Sequence, residues 1–265
     1  QSGKALINAA QFTNFHFELG IFDEAHKTAG NKNKLFAQLL YDENIFIKKR
    51  LFMTATERVF RGDSDETISM DDEVIYGRIV DEFSFKSALE QKPKILSDYQ
   101  ISTTATFKNE IKELIENNEL LKAGNKQWTF EADASTFAAL ITLRKAVQEL
   151  KVKHVISFHR SISRAREFQQ LNEAVNNFGT KFGYIHSYHI NGKKGTGKRS
   201  EIINRFISEE PSLITNARCL TEGVDIPEVD AVLFADPKDS TVDIVQAAGR
   251  AMRVSDKKEL GYILL

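Results

Sequence analysis

Strand-like apolar segments alternate with helical segments through the second half of the sequence, and this alternation limits the possible folds more than any other feature. Each apolar segment is short and leads into a stretch with helical periodicity. Such a pattern predicts parallel strands joined by helical crossovers, which is a doubly wound α/β domain. The predicted strands are residues 152–158, 182–190, 212–215, 229–235 and 261–265, and the predicted helices between them are 161–178, 199–208 and 241–252.

An apolar segment near the start of the chain, residues 19–22, ends in the adjacent carboxylates Asp23 and Glu24. A buried parallel strand delivers side chains in this way to the carboxyl edge of its sheet, where ligands bind. An aspartate there can hold a Mg²⁺ ion that also contacts nucleotide phosphates, and a neighbouring glutamate can position or deprotonate a water molecule. The alternative is that both carboxylates only cap the helix that follows.

A second apolar segment, residues 50–53, ends in the hydroxyl residues Thr54 and Thr56, and a helix is predicted between the two segments at 34–40. The order strand, helix, strand favours parallel neighbours joined by a right-handed crossover. The two threonines should therefore emerge at the same sheet edge as Asp23.

The sequence predicts two domains, 1–92 and 93–265, because a short predicted helix at 84–91 is ended by Lys92 and Pro93. The other predicted elements are strands at 76–80 and 96–106 and helices at 108–121 and 133–150. Three phenylalanines near the start are expected in the core: Phe12, Phe15 and Phe17.

Charge and composition exclude several classes of protein. The chain has 36 Lys and Arg against 37 Asp and Glu, so a nucleic-acid surface must be a local patch. The single cysteine, Cys219, cannot form an intrachain disulfide or a cysteine zinc site. No apolar run approaches the ~18–20 residues of a membrane span, and no signal peptide is recognisable. We expect a cytoplasmic protein with no membrane partner, and both ends of the sequence look like cuts within a longer chain.

Gln246, Arg250 and Arg253 recur at i, i+4 and i+7, which predicts that all three share one helix face. Two arginines on one face suit a polyphosphate, because guanidinium groups match phosphate oxygens and stay charged. Gly249 would permit close backbone approach. The alternative is an amphipathic helix with solvated arginines.

The segment 216–227 combines a polar loop, a glycine turn at Gly223, the carboxylate Asp225 and a proline. Such a loop can present backbone amides and small side chains to a sugar-phosphate backbone. The alternative is a plain connection between strands.

Taken together, these motifs form an ordered set. They are Asp23-Glu24-Ala25-His26, Thr54-Ala55-Thr56, Gly223-Val224-Asp225-Ile226-Pro227 and Gln246 through Arg253. The set resembles motifs II, III, V and VI of superfamily 2 helicases and translocases, of the DEAH-box, restriction-enzyme-type branch. Residues 156–160 and 189–192 look like motif IV and its neighbour, so the resemblance covers essentially the whole chain. Two further strings look similar to predicted bacterial helicases associated with restriction systems: Met70-Asp71-Asp72-Glu73 with Tyr76-Gly77, and residues 216–225.

The resemblance implies an α/β chain of two RecA-like domains with mostly parallel sheets, the first truncated at its N-terminus and the second nearly complete. It implies ATP bound in the cleft between them, with Mg²⁺ held by Asp23. Glu24 would activate the attacking water, and Arg250 and Arg253 would contact the γ-phosphate. His26 would act with the catalytic residues and, with Thr54 and Thr56, couple the nucleotide state to strand movement.

The resemblance also implies two sets of binding residues. The nucleotide contacts would be Gly223, Asp225 and Gln246. The nucleic-acid contacts, made to phosphates without base readout, would be Ser157, His159, Arg160, Asn216, Arg218 and Thr221.

Two near matches to a P-loop lack its hydroxyl residue. In residues 192–199, Arg199 takes the place where Ser or Thr must follow the lysine to hold Mg²⁺. That segment is a flexible surface loop or a phosphate-contacting patch of Lys193, Lys194, Lys198 and Arg199. Residues 1–5 also lack the first glycine of the pattern. We therefore expect no motif I in this chain, and poor ATP hydrolysis by residues 1–265 alone.

The predicted function is an ATP-dependent helicase or translocase acting on DNA, single-stranded or duplex. One alternative acts on RNA, because these motifs serve both substrates. Another is a non-catalytic scaffold that keeps the fold, and a third is a kinase-like P-loop protein, which Arg199 disfavours. Nuclease or methyltransferase domains of the full-length protein are possible partners in the restriction-type interpretation.

Overall fold

A computed structural model describes residues 2–61, 66–105, 130–177, 183–190, 196–216, 226–238 and 240–265. The chain divides into two units, Gln1–Glu82 and Phe83–Leu265. The division falls before the short helix Phe85–Glu90 rather than after Lys92, so that helix goes with the second unit.

The first unit is built around a pair of parallel strands. Its elements in chain order are α1 (Ser2–Thr13), β1 (Gly20–Phe22), a 3₁₀ turn (Ala25–Lys27), β2 (Gly30–Asn31), a 3₁₀ turn (Ala37–Leu40), β3 (Arg50–Phe52), β4 (Thr67–Ile68) and α2 (Glu73–Tyr76). Strand β1 pairs with β3 in parallel, with Ile21 opposite Leu51, while β2 and β4 pair antiparallel. One apolar cluster joins α1 to residues before β3, and a second lies around Ile68.

Two predictions for the first unit differ from the structure. The helix predicted at 34–40 is only the 3₁₀ turn Ala37–Leu40. The strand predicted at 76–80 is wrong, because helix α2 occupies Glu73–Tyr76. The Asp72 side chain caps that helix by accepting from the Val74 amide at 2.9 Å, and Gly77 ends it at φ 73°.

The second unit is a six-stranded parallel sheet with helices on both faces. Its elements are α3 (Phe85–Glu90), β5 (Asp98–Ser102), α4 (Phe130–Glu149), β6 (His154–Phe158), α5 (Ile162–Asn177), β7 (His186–Ile190), α6 (Thr196–Ser208), β8 (Ser212–Asn216), β9 (Ala231–Phe234), α7 (Thr241–Ala251) and β10 (Leu260–Leu264). The strand order is β5-β10-β9-β6-β8-β7, and every pairing is parallel. The predicted α/β fold with a mostly parallel sheet is confirmed. The helix predicted at 108–121 lies outside the described residues.

The core of the second unit lies on both faces of this sheet. One cluster packs Phe137 of α4 and Phe168 of α5 against Val155, and the other packs Phe206 of α6 and Ala247 of α7 against Ile156. Neighbouring residues of β6 therefore point into different clusters, as the period of two in a strand requires. Both strand faces are buried, which is why the strands read as continuous apolar segments.

Two aromatic residues of the first unit are not where the sequence predicts them. Phe12 is 92% exposed and Phe15 is 56% exposed, whereas Phe17 packs against the first-unit core. Helix α1 buries Ile7 and Ala10 instead. In the described part of the chain, every helix is too short or too polar to cross a membrane.

Candidate functional site

The carboxyl ends of β1 and β3 run side by side into two polar segments. Beyond the strands, the Met53 amide donates to the Phe22 carbonyl at 2.9 Å, and the Ala25 amide donates to the Met53 carbonyl at 2.9 Å. These bonds extend the parallel pairing past the last strand residues. The structure therefore brings residues 23–26 and 54–56 to one edge of the sheet.

Glu24 turns the chain sharply away from β1. Its backbone is left-handed, at φ 53° and ψ 44°, a conformation that costs a residue with a side chain about 1–2 kcal/mol. The Glu24 amide donates to Asp23 Oδ1 at 2.9 Å, and the Asp23 residue is exposed. The Glu24 side chain makes no capping bond to the 3₁₀ turn that follows, and its carboxylate lies 3.3 Å from His26 Nδ1. Helix capping therefore does not account for Glu24, and surrounding contacts must hold its strained backbone.

His26 connects the two polar segments. Its Nδ1 lies 3.1 Å from Thr54 Oγ1 and 3.3 Å from Glu24 Oε2. The Thr54 hydroxyl donates to the Thr56 carbonyl at 2.9 Å, so its oxygen accepts from the imidazole. This assignment makes His26 Nδ1 a hydrogen-bond donor. His26 therefore lies within contact distance of both Thr54 and the Glu24 carboxylate.

In the second unit, Asp236 is the centre of a polar cluster at the carboxyl ends of β6 and β9. Its Oδ2 accepts from the Arg160 amide at 3.0 Å, and its Oδ1 accepts from the Arg164 guanidinium at 3.1 Å. Arg164 also donates to Thr136 Oγ1 at 3.0 Å, which ties α4 to the cluster. His159 Nδ1 lies 3.8 Å from Asp236 Oδ2. The cluster therefore fixes the backbone that follows β6.

Burial sets the charges inside this cluster. It lowers the pKa of His159 to about 4, so the imidazole is neutral at neutral pH. Burial by itself raises the pKa of Asp236, but hydrogen bonds from the Arg160 amide and the Arg164 guanidinium, together with the Arg164 charge, hold that pKa below its usual range. The cluster thus combines a neutral imidazole with an ionised carboxylate paired to an arginine.

Three of the implied nucleic-acid contacts are buried in this structure. The residue exposures are 0% for Ser157, 2% for His159 and 0% for Asn216. Ser157 Oγ lies 2.9 Å from His159 Nε2, and the His159 amide donates to the Asn216 carbonyl at 2.9 Å. With Asp236, Ser157 and His159 supply the residue types of a hydrolytic triad, but burial keeps them from any substrate. Arg160 is the exposed member of the implied set within the described ranges.

Helix α7 carries Gln246 and Arg250 on a framework of small residues. Ala247 and Ala251 are fully buried, so the helix packs closely on the sheet. Arg250 is 8% exposed, and Gln246 is half-buried. Burial lowers the pKa of Arg250, yet a guanidinium remains charged at any physiological pH. A buried cation of this kind is suited to a phosphate group.

Arg253 does not share the helix face of Gln246 and Arg250, so that expectation is wrong. Helix α7 ends at Ala251, and Arg253 forms an antiparallel bridge with Leu96. The adjoining Met252 carbonyl accepts from the Ser97 amide at 2.7 Å. Backbone pairing therefore positions Arg253, and burial lowers its pKa as well.

Two residues that the sequence does not reveal hold the end of α7. Lys258 Nζ donates to the Ala251 carbonyl at 2.9 Å and also to the Val229 carbonyl. Burial lowers the pKa of Lys258 to about 8. Gly261 of β10 passes so near that a Cβ there would overlap the Ala251 carbonyl. One lysine among several and one glycine in a strand carry no distinctive pattern, so only the packing identifies them.

Several predicted site residues lie outside the described residues. These are Gly223, Asp225, Arg218 and Thr221, which fall in 217–225, and residues 191–195 of the near P-loop. Lys198 and Arg199 lie in the first turn of α6. Where the chain is described, no three His, Cys, Asp or Glu side chains group as a metal site.

Comparison with known proteins supports a helicase class. Residues 137–255 match the family of the helicase conserved C-terminal domain. A probable helicase of African swine fever virus is 28% identical over 254 residues, which is 94% of this chain and 26% of the viral protein. The solved structure of the ATP-dependent type ISP restriction-modification enzyme LlaBIII bound to DNA matches with a TM-score of 0.79 and 28% identity, covering 100% of this chain and 19% of that enzyme. A nuclease-deletion mutant of the type ISP enzyme LlaGI, in complex with a DNA substrate mimic, matches with a TM-score of 0.58 and 25% identity, covering 98% of this chain and 16% of that one.

Most of the second unit therefore matches a helicase C-terminal domain, and its parallel sheet is of the RecA-like kind. The chain as a whole is similar to superfamily 2 helicases of the restriction-enzyme type, the class that the order of its motifs resembles. It spans about a quarter of the length of its viral relative and about a fifth of that of LlaBIII.

Proposed function

We propose that this chain is the part of an ATP-dependent DNA helicase or translocase that couples nucleotide hydrolysis to strand movement. The observation that carries the proposal is the hydrogen-bonded group of Glu24, His26 and Thr54 at the ends of two parallel strands. It links a candidate catalytic carboxylate to a second segment through a single imidazole. The LlaBIII and LlaGI structures, both with DNA or a DNA mimic, support DNA as the substrate.

The residues present fit ATP and Mg²⁺. The exposed Asp23 carboxylate is a hard oxygen ligand of the kind that Mg²⁺ prefers. The metal, when bound, would neutralise phosphate charge. Glu24 would orient and deprotonate the attacking water, while Arg250 and Arg253 would contact the phosphate groups.

Arg160 is our candidate for a phosphate contact to the nucleic acid. Its residue is exposed while its backbone amide is fixed by Asp236 at 3.0 Å. An exposed guanidinium on a fixed backbone can hold a strand without reading its bases. The buried residues next to it would then act indirectly, by fixing the conformation of the backbone that follows β6. They are Ser157, His159 and Asn216.

The test measures ATP hydrolysis with single-stranded DNA, duplex DNA, RNA or no nucleic acid. Because the relatives are longer than this chain, it uses the longest natural protein that contains the chain. Stimulation by DNA is expected. Stimulation by RNA alone would contradict the DNA assignment, and no stimulation by any nucleic acid would contradict the motor function.

Replacing Glu24 by Gln should remove ATP turnover while leaving ATP binding intact. The amide keeps the size of the side chain but cannot accept a proton, and general-base catalysis is worth about 10²–10⁴ in rate. Steady-state hydrolysis and equilibrium binding of a nucleotide analogue are compared with the unaltered protein. Turnover that persists in Glu24→Gln would show that Glu24 is not the base.

A further inference from the structure

The Tyr76-Gly77 pair of the first unit has no part in the function proposed above, although its string resembles restriction-associated helicases. Tyr76 is the last residue of α2 and packs edge-to-face on Phe52, with ring centroids 4.9 Å apart. Phe52 in turn packs on Phe22 at 5.0 Å. Those two phenylalanines are the last residues of β3 and β1. The Tyr76 ring is thus part of an aromatic stack at the ends of the two strands that lead into the candidate site.

The Tyr76 hydroxyl reaches the turn that carries Glu24 and His26. It lies 2.8 Å from Thr28 Oγ1, and the Thr28 hydroxyl donates to the Ala25 carbonyl at 2.7 Å. Since Thr28 gives its own proton to Ala25, Tyr76 must be the donor to Thr28. Thr28 is 3% exposed and Ala25 is fully buried, so this chain of hydrogen bonds is shielded from water. It ends on the residue between Glu24 and His26.

The local sequence fixes Tyr76 in this position. Asp72 caps α2, and Gly77 ends it with φ 73° and ψ −173°. That backbone region is open almost only to glycine. A Cβ at Gly77 would meet none of the described atoms within 4 Å, so the need for glycine is conformational rather than steric. The glycine therefore allows the chain to end α2 and change direction directly after Tyr76.

The segment before α2 is also tied to the residues that follow Thr56. The Met70 amide donates to the Arg58 carbonyl at 3.2 Å, and the Phe60 amide donates to Ser69 Oγ at 2.9 Å. The segment that leads into α2 is therefore paired with residues 58–60, while the Tyr76 hydroxyl itself contacts Thr28.

We propose that Tyr76 is a positioning residue for the Glu24–His26 turn. Its hydroxyl, acting through Thr28 and the Ala25 carbonyl, holds the strained backbone at Glu24 and so places the carboxylate and the imidazole. This inference rests on the proposed ATP hydrolysis for its effect on rate, but the contact itself can be tested separately.

The main test replaces Tyr76 by Phe, which removes the hydroxyl and keeps the ring on Phe52. We expect kcat for ATP to fall about tenfold, equivalent to ~1.4 kcal/mol, with KM changed by less than about twofold, because the nucleotide contacts stay in place. Thr28→Val should give the same loss, and the double variant should be no worse than either one, since both break the same chain. The matched control is Tyr41→Phe. Tyr41 belongs to the same apolar cluster, and its buried hydroxyl has no hydrogen-bond partner among the described residues.

Hydrogen exchange of the backbone amides of residues 24–28 gives a readout that does not depend on activity. Tyr76→Phe should speed exchange at Lys27 and Thr28, whose amides donate to Glu24 and Ala25, while Tyr41→Phe should not. Unchanged exchange in Tyr76→Phe, or an equal loss of kcat in Tyr41→Phe, overturns the proposal. These rates are measured on the longest natural protein that contains the chain. If that unaltered protein hydrolyses no ATP, the proposed function fails, and the exchange rates alone decide whether Tyr76 holds the turn.

Discussion

At the scale of single residues, exposure distinguishes side chains that can contact a ligand from buried side chains that only support the surrounding backbone. At the end of β6, Ser157 and His159 are buried against each other, and Arg160 directly after them is exposed. Asp236 accepts from the Arg160 amide and not from its guanidinium. The Arg160 guanidinium is therefore available at the surface while the Arg160 backbone is fixed, and this arrangement suits a phosphate contact.

Arg160→Ala should weaken DNA binding to about the same degree for every sequence. Loss of one phosphate contact should also lower the slope of log binding constant against log salt by about one. Fluorescence anisotropy with labelled duplexes across a salt series measures both. The control is Arg166→Ala, which removes an exposed arginine near the N-terminal end of α5. Equal slopes for Arg160→Ala and the unaltered protein would exclude the contact.

The sequence predicts which residue types end the strands but not which of them are buried. Asp23 and Asp236 both follow apolar segments, and that position identifies each as a strand-end carboxylate. In a parallel sheet covered on both faces, however, alternate strand residues are equally buried, so periodicity cannot tell whether Ser157 faces a ligand. The difference between Arg160 and His159 depends on Asp236, which is distant in sequence, and no local pattern encodes it.

At the scale of elements, the end of α7 is determined by β10. Gly261 lies against the Ala251 carbonyl, and Lys258 donates to that same oxygen. A cation at a helix C-terminus offsets the negative end of the helix dipole. Together these contacts fix where α7 ends, and so fix the backbone between Arg250, which is in the helix, and Arg253, which is in the bridge to Leu96.

Gly261→Ala should destabilise the second unit by roughly 1–3 kcal/mol, because the added methyl group overlaps main chain that cannot move without displacing α7. The control is Gly249→Ala within α7. In the described part of the chain, no atom outside the helix's own backbone lies within 4 Å of a Cβ at Gly249, so the change should stabilise by about 0.5–1 kcal/mol through helix propensity. Urea denaturation followed by circular dichroism gives both values. A Gly261→Ala midpoint equal to that of the unaltered protein would contradict the packing argument. Among the described residues, none makes the close approach expected at Gly249.

Helices and strands are predicted correctly where they are long enough to show a hydrophobic periodicity. The strands and helices from α4 to β10 are long enough for a pattern of two or 3.6 residues to show, and the structure has an element for each one predicted there. In the first unit, strands of two or three residues and 3₁₀ turns are too short for such patterns. Residues 76–80 carry apolar residues of high strand propensity, yet the Asp72 cap and Gly77 impose a helix end on that stretch.

At the scale of the whole molecule, two buried histidines make stability depend on pH. His154 begins β6, with Nδ1 2.9 Å from Ser212 Oγ, and His159 follows the strand. Burial lowers the pKa of both, that of His159 from 6.5 to about 4. As pH falls from about 6.5 towards 4, the unfolded chain takes up protons that the folded chain refuses, so the free energy of unfolding decreases.

We expect that decrease to reach the order of 3 kcal/mol from His159 alone across that range. His159→Gln should flatten the dependence, because glutamine has no proton to gain. Unfolding free energies in urea at pH 7, 6 and 5 provide the measurement. His16→Gln, at an exposed histidine, is the control and should leave the slope unchanged. A slope that survives in His159→Gln would assign the effect to other groups.

The strand order of the second unit has a consequence for protein synthesis. Within the described chain, β5 pairs only with β10, and Leu260 lies opposite Asp98. After Ser102, a ribosome adds 158 more residues to reach and include Leu260. At ~5–20 residues per second, β5 waits roughly 8–30 s for its neighbour. During that interval Tyr99 and Ile101 belong to an unpaired strand, so the nascent chain is most prone to aggregate just before its sheet can close.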